Sequence, residues 1–234
     1  MKPSVFSDRS GGISGEMKKG RLVAAGYAGY EGTGILAQAK EERLLRSLPR
    51  WLVENAAAFG EDAGRIREQA ERIAGQYAMS FVSMAGSRRI TGNEKTAGEM
   101  SGDLTHSYHM VHCAGDGGVL AALWLFAETC GLGMEIDLRL IPIRQETVEI
   151  SEILQVNPYQ MYAGGCVLAG TEDPFGLIRA LEEAGIAAAQ IGEIFPGSVR
   201  RIHNGETLGY LNIPRRIEQM REGTRQALWS LPEM

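Results

Sequence analysis

A polar, glycine-bearing turn that runs directly into an apolar helix restricts the possible folds of this chain more than any other feature. The turn reads Val-His-Cys-Ala-Gly-Asp-Gly-Gly from position 111, and the helix is predicted over residues 119–129. N–H groups in the first turn of a helix lack intrahelical partners and lie at the positive end of its dipole, so they bind phosphate or carboxylate readily. Gly117 and Gly118 would let such a ligand approach the backbone closely. The helix entrance is therefore a candidate anion site.

The same residues have a purely structural interpretation. Asp116 is a residue type that caps helices, and the two glycines after it would allow tight packing against a neighbouring segment. The sequence leaves both interpretations open.

Short strands and helices alternate along the rest of the chain. Strands are predicted at residues 21–25, 134–138, 166–169 and 186–194, and as a hairpin of 199–202 with 207–211 around Asn204-Gly205. Helices are predicted from Ile35 with a break near Ser47 before Pro49, then at 63–76, 119–129, 144–154, from Asp173-Pro174 to Gly185, and at 214–231. This order predicts an α+β fold, a mixed β-sheet covered by helices.

Helical spacing also predicts which side chains are buried. After Asp173-Pro174 these are Phe175, Ile178 and Leu181. In the earlier helical stretch they are Leu44, Leu45, Leu48, Trp51, Leu52, Ala56 and Phe59. Trp124 and Phe126 are likewise expected in the core.

One folded domain is expected from residue 21 to 234, preceded by a mobile tail of residues 1–20. Residues 86–105 are polar, contain Gly86, Gly92, Gly98 and Gly102, and have almost no apolar anchor. They are predicted to form a long loop.

Composition excludes several classes of protein. A hydrophobic fraction of 44% supports a real core, and a net charge of −5 argues against nucleic acid as the main partner. Three cysteines without a pair motif fit reduced thiols, and no apolar run approaches the roughly 20 residues of a membrane span. We therefore expect a cytoplasmic protein without a membrane partner.

Three histidines and a cysteine lie close together in the sequence. His106, His109, His112 and Cys113 would bring metal ligands together if this segment were helical. Because the segment lies in or beside a predicted loop and lacks a second ligand pair, surface histidines are the favoured interpretation, and no metal is expected. Cys113 beside His112 is an activated thiol or a half-buried small side chain, and we favour the latter because no orienting acid is identifiable.

The glycine-rich stretch from Gly26 to Gly34 lacks the Lys-Ser/Thr ending of a phosphate-binding P-loop. It is interpreted as a turn and helix entrance that is able to line the same cleft as the segment at Gly117.

Five segments in order give the chain, from about residue 21 to 211, a resemblance to the C-terminal domain of the aminoimidazole ribonucleotide (AIR) synthase, or PurM-like, superfamily. Residues 29–37 resemble its Gly-Leu-Glu-Gly-Thr-Ala-Ile-Leu-Ala stretch, 111–118 its Met-His-Asp-Val-Thr-Glu-Gly-Gly motif, and 163–168 its Ser-Ser-Gly-Ser-x-Leu segment. Ile141-Pro142-Ile143 and Asn157-Pro158 match the two elements between them. Within the superfamily, the residues of these motifs are most similar to those of the hydrogenase-maturation (HypE-type) and AIR synthase-related branch.

The resemblance implies a sheet covered by helices in α/β/α layers and a set of ligand-binding residues. These residues are Glu31, Gly32, Thr33, His112, Asp116, Gly117 and Gly118. The family uses ATP and Mg²⁺, bound mainly by an N-terminal domain for which the roughly 20 residues before the match leave no room. Cys113, Gly115 and Asp116 replace the motif's Asp, Thr and Glu, and the chain ends without the thiocarbamoyl-carrying cysteine of the hydrogenase-maturation branch.

Two expectations about function follow from this resemblance. In the first, the chain binds a small phosphorylated or carboxylate ligand and completes an ATP-dependent enzyme with a separate ATP-binding chain, without being catalytic alone. In the second, it is a non-catalytic interaction or regulatory domain. Removal of an N-terminal domain would expose apolar surface, so a homo-oligomer is also expected.

Overall fold

The computed structural model describes residues 19–84 and 105–214, which form seven helices and nine strands. The helices are α1 (Tyr30–Ala39), α2 (Glu41–Leu44), α3 (Arg50–Ala57), α4 (Ala63–Tyr77), α5 (Gly118–Cys130), α6 (Gln145–Leu154) and α7 (Pro174–Glu183). The strands are β1 (Gly20–Ala25), β2 (Ser80–Met84), β3 (Thr105–His109), β4 (Val111–Cys113), β5 (Leu132–Asp137), β6 (Val167–Thr171), β7 (Ala188–Pro196), β8 (Arg200–Asn204) and β9 (Thr207–Tyr210). The predicted loop at 86–105 and helix at 214–231 lie almost entirely outside the described residues.

Seven of the strands form one mixed sheet in the order β4-β6-β1-β7-β5-β8-β9, and β2 pairs with β3. Neighbouring strands of the large sheet are antiparallel except β5 and β8, which run parallel. The β8–β9 hairpin turns at Gly205, as the Asn-Gly pair predicts. The predicted α+β class with a mixed sheet is confirmed.

Strand β1 runs through the middle of the sheet and separates two hydrophobic layers. Leu22 and Ala24 face a cluster built around α5, whereas Val23 and Ala25 face a cluster with α4 and α7. Successive side chains of a strand point to opposite faces, so a strand covered on both sides must be apolar throughout. The sheet therefore lies between helices on both faces, which confirms the α/β/α layering.

A third hydrophobic cluster joins α1, α3 and α6 beside the sheet. Leu36, Val53 and Ile150 are among its buried members. Pro49 precedes α3 with extended backbone, which confirms the predicted break in the first helical stretch.

Two predicted core aromatics are exposed, and those predictions are wrong. Trp51 is 59% exposed and Phe175 is 81% exposed, whereas Leu52, Leu177 and Leu181 face the core. Hydrophobic spacing predicted the correct helices, but the buried face of α7 is centred on Leu177, two residues beyond Phe175. Phe59 follows α3 and is half-buried.

One helix boundary and three strands also differ from prediction. Helix α1 begins at Tyr30, five residues before Ile35, after Gly29 adopts a φ of 64°. Residues 111–113 form strand β4, so the polar turn is confined to residues 114–117. Strands β2 and β3 were not predicted.

Candidate functional site

The motif glycines meet on a single segment, residues 158–165, which we name the strap. The strap begins with a short 3₁₀ turn capped by the Asn157 side chain and leads into β6. The start of α1 lies against one part of it, and the turn before α5 lies against another. The strap thus links the two glycine-rich motifs that the sequence predicts to line one cleft.

Glycines allow both helix starts to approach the strap backbone. A β-carbon at Gly118 would lie 2.4 Å from the carbonyl oxygen of Tyr159 and 2.5 Å from that of Met161, and the φ of Gly118 is +66°. A β-carbon at Gly32 would lie 2.9 Å from the Cβ of Met161. In both places the space beside the glycine is filled by protein, which accounts for these glycines by packing.

The turn at residues 114–117 is tied to the strap by main-chain hydrogen bonds. The N–H of Ala163 donates to the carbonyl of Gly115 over 3.4 Å, and the N–H of Ala114 donates over 2.8 Å to the carbonyl of Cys166, the residue that follows the strap. Gly117 is the N-cap residue of α5, has a φ of 80° and, as a glycine, has no side chain with which to cap the helix. Asp116 lies half-buried in this turn.

Thr33 is occupied by internal hydrogen bonds. Its hydroxyl is fully buried, donates to the carbonyl of Gly29 over 2.7 Å and contacts the hydroxyl of Thr147 at 2.9 Å. The side chain therefore fixes the first turn of α1 to α6. Glu31, in the same turn, is the polar residue placed closest to the strap glycines.

The carboxylate of Glu31 lies against the strap at Gly164. A β-carbon at Gly164 would lie 2.7 Å from Oε1 of Glu31 and 2.9 Å from the hydroxyl of Tyr162. Oε2 is buried and has no hydrogen-bond partner among the described residues. A buried carboxylate oxygen without a partner destabilises the fold, which makes Oε2 a candidate acceptor for a ligand donor.

Burial raises the pKa of Glu31 above its ordinary value of 4.5. Backbone hydrogen bonds at Gly165 and Gly164 and the charge of Arg67 act in the opposite direction but do not cancel this effect. The chemistry available here is that of a carboxyl group that gains protons more readily than usual and offers one free oxygen.

The raised pKa of Glu31 predicts a pH dependence of stability. Below pH 4.5 the group is protonated in both the folded and unfolded states, and its stabilising effect is complete. As the pH rises through 4.5, the unfolded state loses its proton first, so the free energy of unfolding falls until the folded carboxyl also ionises. We expect Glu31→Gln to abolish this contribution to the pH dependence. The measurement is the Tm of the variant and of the parent at pH 4 and at pH 8, and the Tm of the variant should fall less than that of the parent.

Glu68→Gln is the matched control, because Glu68 is an exposed carboxylate on the neighbouring helix α4. If Glu31→Gln and Glu68→Gln altered the pH dependence of the Tm to the same extent, the assignment of this effect to Glu31 would be contradicted.

His112 lies on β4, opposite Leu168 of β6. Its ring is half-buried, and this burial lowers its pKa, which favours the neutral imidazole. Cys113, the next residue, donates its thiol hydrogen to the carboxylate of Glu71 on α4. Burial and this bond both raise the pKa of the Cys113 thiol, so the arrangement favours the resting thiol.

The histidines considered as metal ligands do not share a helix. His106 and His109 are on β3 and His112 is on β4, so the segment does not have the helical conformation that would bring these side chains together. Within residues 19–84 and 105–214, no cluster of three His, Cys, Asp or Glu residues is placed to hold a metal ion.

Sequence reasoning identified Glu31 but missed its surroundings. Arg67 on α4 and Gly164 and Gly165 on the strap influence the carboxyl group, and Gly60 packs against its stem. The pair Gly164-Gly165 carried a signal, since two glycines precede a buried strand. Arg67 carried none, because α4 is dense in charge.

Comparison with known proteins identifies the fold. Residues 94–203 match the family model described as AIR synthase related protein, C-terminal domain. Three similar solved structures are E. coli HypE, a hydrogenase maturation protein (18% identity, TM-score 0.53), HypE in complex with ATP (14%, 0.55) and a HypE–HypF complex (14%, 0.54).

The extent of these matches is the same for all three structures. They cover 86%, 86% and 85% of this chain and 52%, 52% and 54% of those proteins, so the chain spans about half the length of the structures it matches. No curated protein sequence matches significantly. In the described part of the chain, no helix combines the length and apolar character that crossing a bilayer requires.

Proposed function

We propose that the chain is a member of the AIR synthase-related superfamily, similar to its C-terminal domain, and that it is a ligand-binding component that works with a separate ATP-binding chain. The ligand is a small phosphorylated or carboxylate molecule that also carries hydroxyl groups. Its site is the region around the strap, with Glu31, His112, Asp116 and Gly117 as the contacts.

The proposed ligand site rests on the buried Oε2 of Glu31, which has no hydrogen-bond partner among the described residues. A ligand hydroxyl that donated to this oxygen would supply the missing hydrogen bond. The first turn of α5, which also packs against the strap, has main-chain N–H groups of the kind that bind an anionic group. Together they favour a ligand with hydroxyl groups and an anionic end.

The involvement of ATP is suggested by one of the matched structures, a HypE in complex with ATP. We propose that Mg-ATP binds to another polypeptide and that this chain supplies the site for the second ligand, as a heteromeric partner or within a homo-oligomer in the cytoplasm.

Isothermal titration calorimetry with ribose 5-phosphate tests the ligand class. The probe carries both hydroxyl groups and a phosphate, so it should bind saturably and at least about tenfold more tightly than ribose or inorganic phosphate alone. We expect Glu31→Gln to weaken this binding by about tenfold, because an amide presents an N–H₂ or a weaker acceptor where the carboxylate oxygen lies.

Glu68→Gln should bind ribose 5-phosphate like the parent. Equal affinities of the parent and Glu31→Gln, or no saturable heat with the parent, would overturn the proposed site. Saturable binding of Mg-ATP to the isolated chain would overturn the assignment of ATP to a separate polypeptide.

The alternative function is a non-catalytic interaction or regulatory domain. One observation favours it: Gly32, Thr33 and Gly118 are accounted for by packing and internal hydrogen bonds. The two functions differ in the titration, since a purely interacting domain has no reason to bind ribose 5-phosphate.

A further inference from the structure

A cavity of about 390 Å³ opens between the starts of α3 and α6, and none of the residues assigned above as ligand contacts lines it. One wall is formed by Trp51 and Leu52 of α3, and Tyr27 and Ile143 add further apolar surface. Arg144, Gln145 and Glu146 provide the polar part of the lining. A volume of this size lies within the range of small-molecule sites, about 300–1,000 Å³.

The guanidinium group of Arg144 is held in place by aromatic rings. It lies 5.6 Å from the ring centroid of Tyr27 and 5.5 Å from that of Phe59. The Phe59 ring is in turn stacked on Tyr30 with 4.5 Å between centroids. Such packing fixes a planar cation before any ligand arrives, and this reduces the entropy lost on binding.

Trp51 is 59% exposed although its indole is among the largest apolar groups of the chain. It lines the cavity beside Leu52, which is buried in the α1–α3–α6 cluster. An exposed indole on the wall of a concave site offers a flat face for stacking and little adaptable polar surface. The shape of this wall therefore favours a planar ring.

The charge of the cavity selects a ligand of low charge. The Nη2 atom of Arg144 lies 3.3 Å from Oε1 of Glu146, so the carboxylate partly balances the guanidinium. The side chain of Glu146 is only 10% exposed, whereas that of Arg144 is 42% exposed and retains donors for another partner. A single negative charge suits this balance better than a di- or triphosphate.

We propose that this cavity binds a planar aromatic monocarboxylate of one or two fused rings. The ring lies between Trp51 and Tyr27 on the apolar side, and the carboxylate pairs with Arg144. None of the residues lining this cavity is among the contacts assigned to the phosphorylated ligand, so the two sites succeed or fail separately.

Calorimetric titration of the full chain with 2-naphthoate tests the proposal. We expect saturable binding that is about tenfold weaker for 2-naphthalenemethanol, which keeps the rings but lacks the charge, and absent for acetate, which lacks the rings. No saturable heat with 2-naphthoate, or equal affinity for the alcohol, would overturn the proposal.

Two variants and a control locate the binding. Trp51→Leu should weaken 2-naphthoate binding by about fivefold or more through loss of the stacking face, and Arg144→Gln by about tenfold. Phe175→Leu is the matched control, because it removes another exposed aromatic ring far along the chain and should leave the affinity unchanged. Since Trp51 is exposed, its replacement preserves the fold, and unchanged affinity in Trp51→Leu would overturn the site.

Discussion

Replacing Gly118 by alanine is expected to destabilise the protein by about 3 kcal/mol, since two penalties combine. The φ of +66° is costly for an L-residue by about 1–2 kcal/mol. The new methyl group would also lie within 2.6 Å of two carbonyl oxygens of the strap, a clash that typically adds about 1–3 kcal/mol. Urea unfolding followed by circular dichroism would measure the change.

Gly115→Ala is the control within the same turn. Nothing lies within 4 Å of a β-carbon at Gly115, and its φ is not in the left-handed region. We expect a change in the free energy of unfolding of no more than about 1 kcal/mol, with a stabilising sign because alanine restricts the unfolded chain. Similar losses in both variants would show that the strap is not what requires Gly118.

Phe126→Ala is expected to destabilise the protein by about 4 kcal/mol, the largest effect predicted for a single side chain. Phe126 is 1% exposed and packs with Leu22, Leu123 and Met134 between α5 and the sheet. Truncation removes the apolar contacts of the ring and leaves a cavity that surrounding side chains refill only in part. The free energy of unfolding in urea would again provide the measurement.

The corresponding control is Phe175→Ala on α7. Because Phe175 is 81% exposed, its removal should change the free energy of unfolding by less than about 0.5 kcal/mol. A loss of several kcal/mol in this variant would mean that the ring is covered in solution.

The order of strands and helices was predictable because its signals are local. Asp173 caps α7 through a hydrogen bond from Gly176, Gly131 ends α5 with a φ of 64°, and Pro49 separates α2 from α3. Each of these effects depends on a few neighbouring residues. The start of α1 was missed because glycines at 32 and 34 disfavour a helix, and only packing against other segments favours one there.

The pairing of strands was beyond sequence reasoning. β5 runs parallel to β8 and antiparallel to β7, and nothing in their alternation of apolar and polar residues specifies either neighbour. The exposure of Trp51 could not be predicted from the sequence either, since helical spacing predicts the helix but not which aromatic ring remains in solvent.

The candidate site was predictable in part. Glu31 was identified from the resemblance of its segment to a family segment, but whether Oε2 has a partner among residues 19–84 and 105–214 depends on side chains distant in the sequence. The role of the motif glycines was ambiguous from the sequence, because a glycine is required wherever either a ligand or another backbone segment approaches the chain closely. Gly118 against Tyr159 and Met161 illustrates the second case.

The short outer strands of the large sheet determine how readily a neighbouring molecule could extend it. In the described residues the sheet is bordered by β4, with three residues, and β9, with four. Strands of this length present few unpaired main-chain groups, so a neighbouring molecule gains little by extending the sheet. The borders of the described sheet are therefore poor templates for continuous intermolecular sheets, which limits the tendency to form fibrous aggregates.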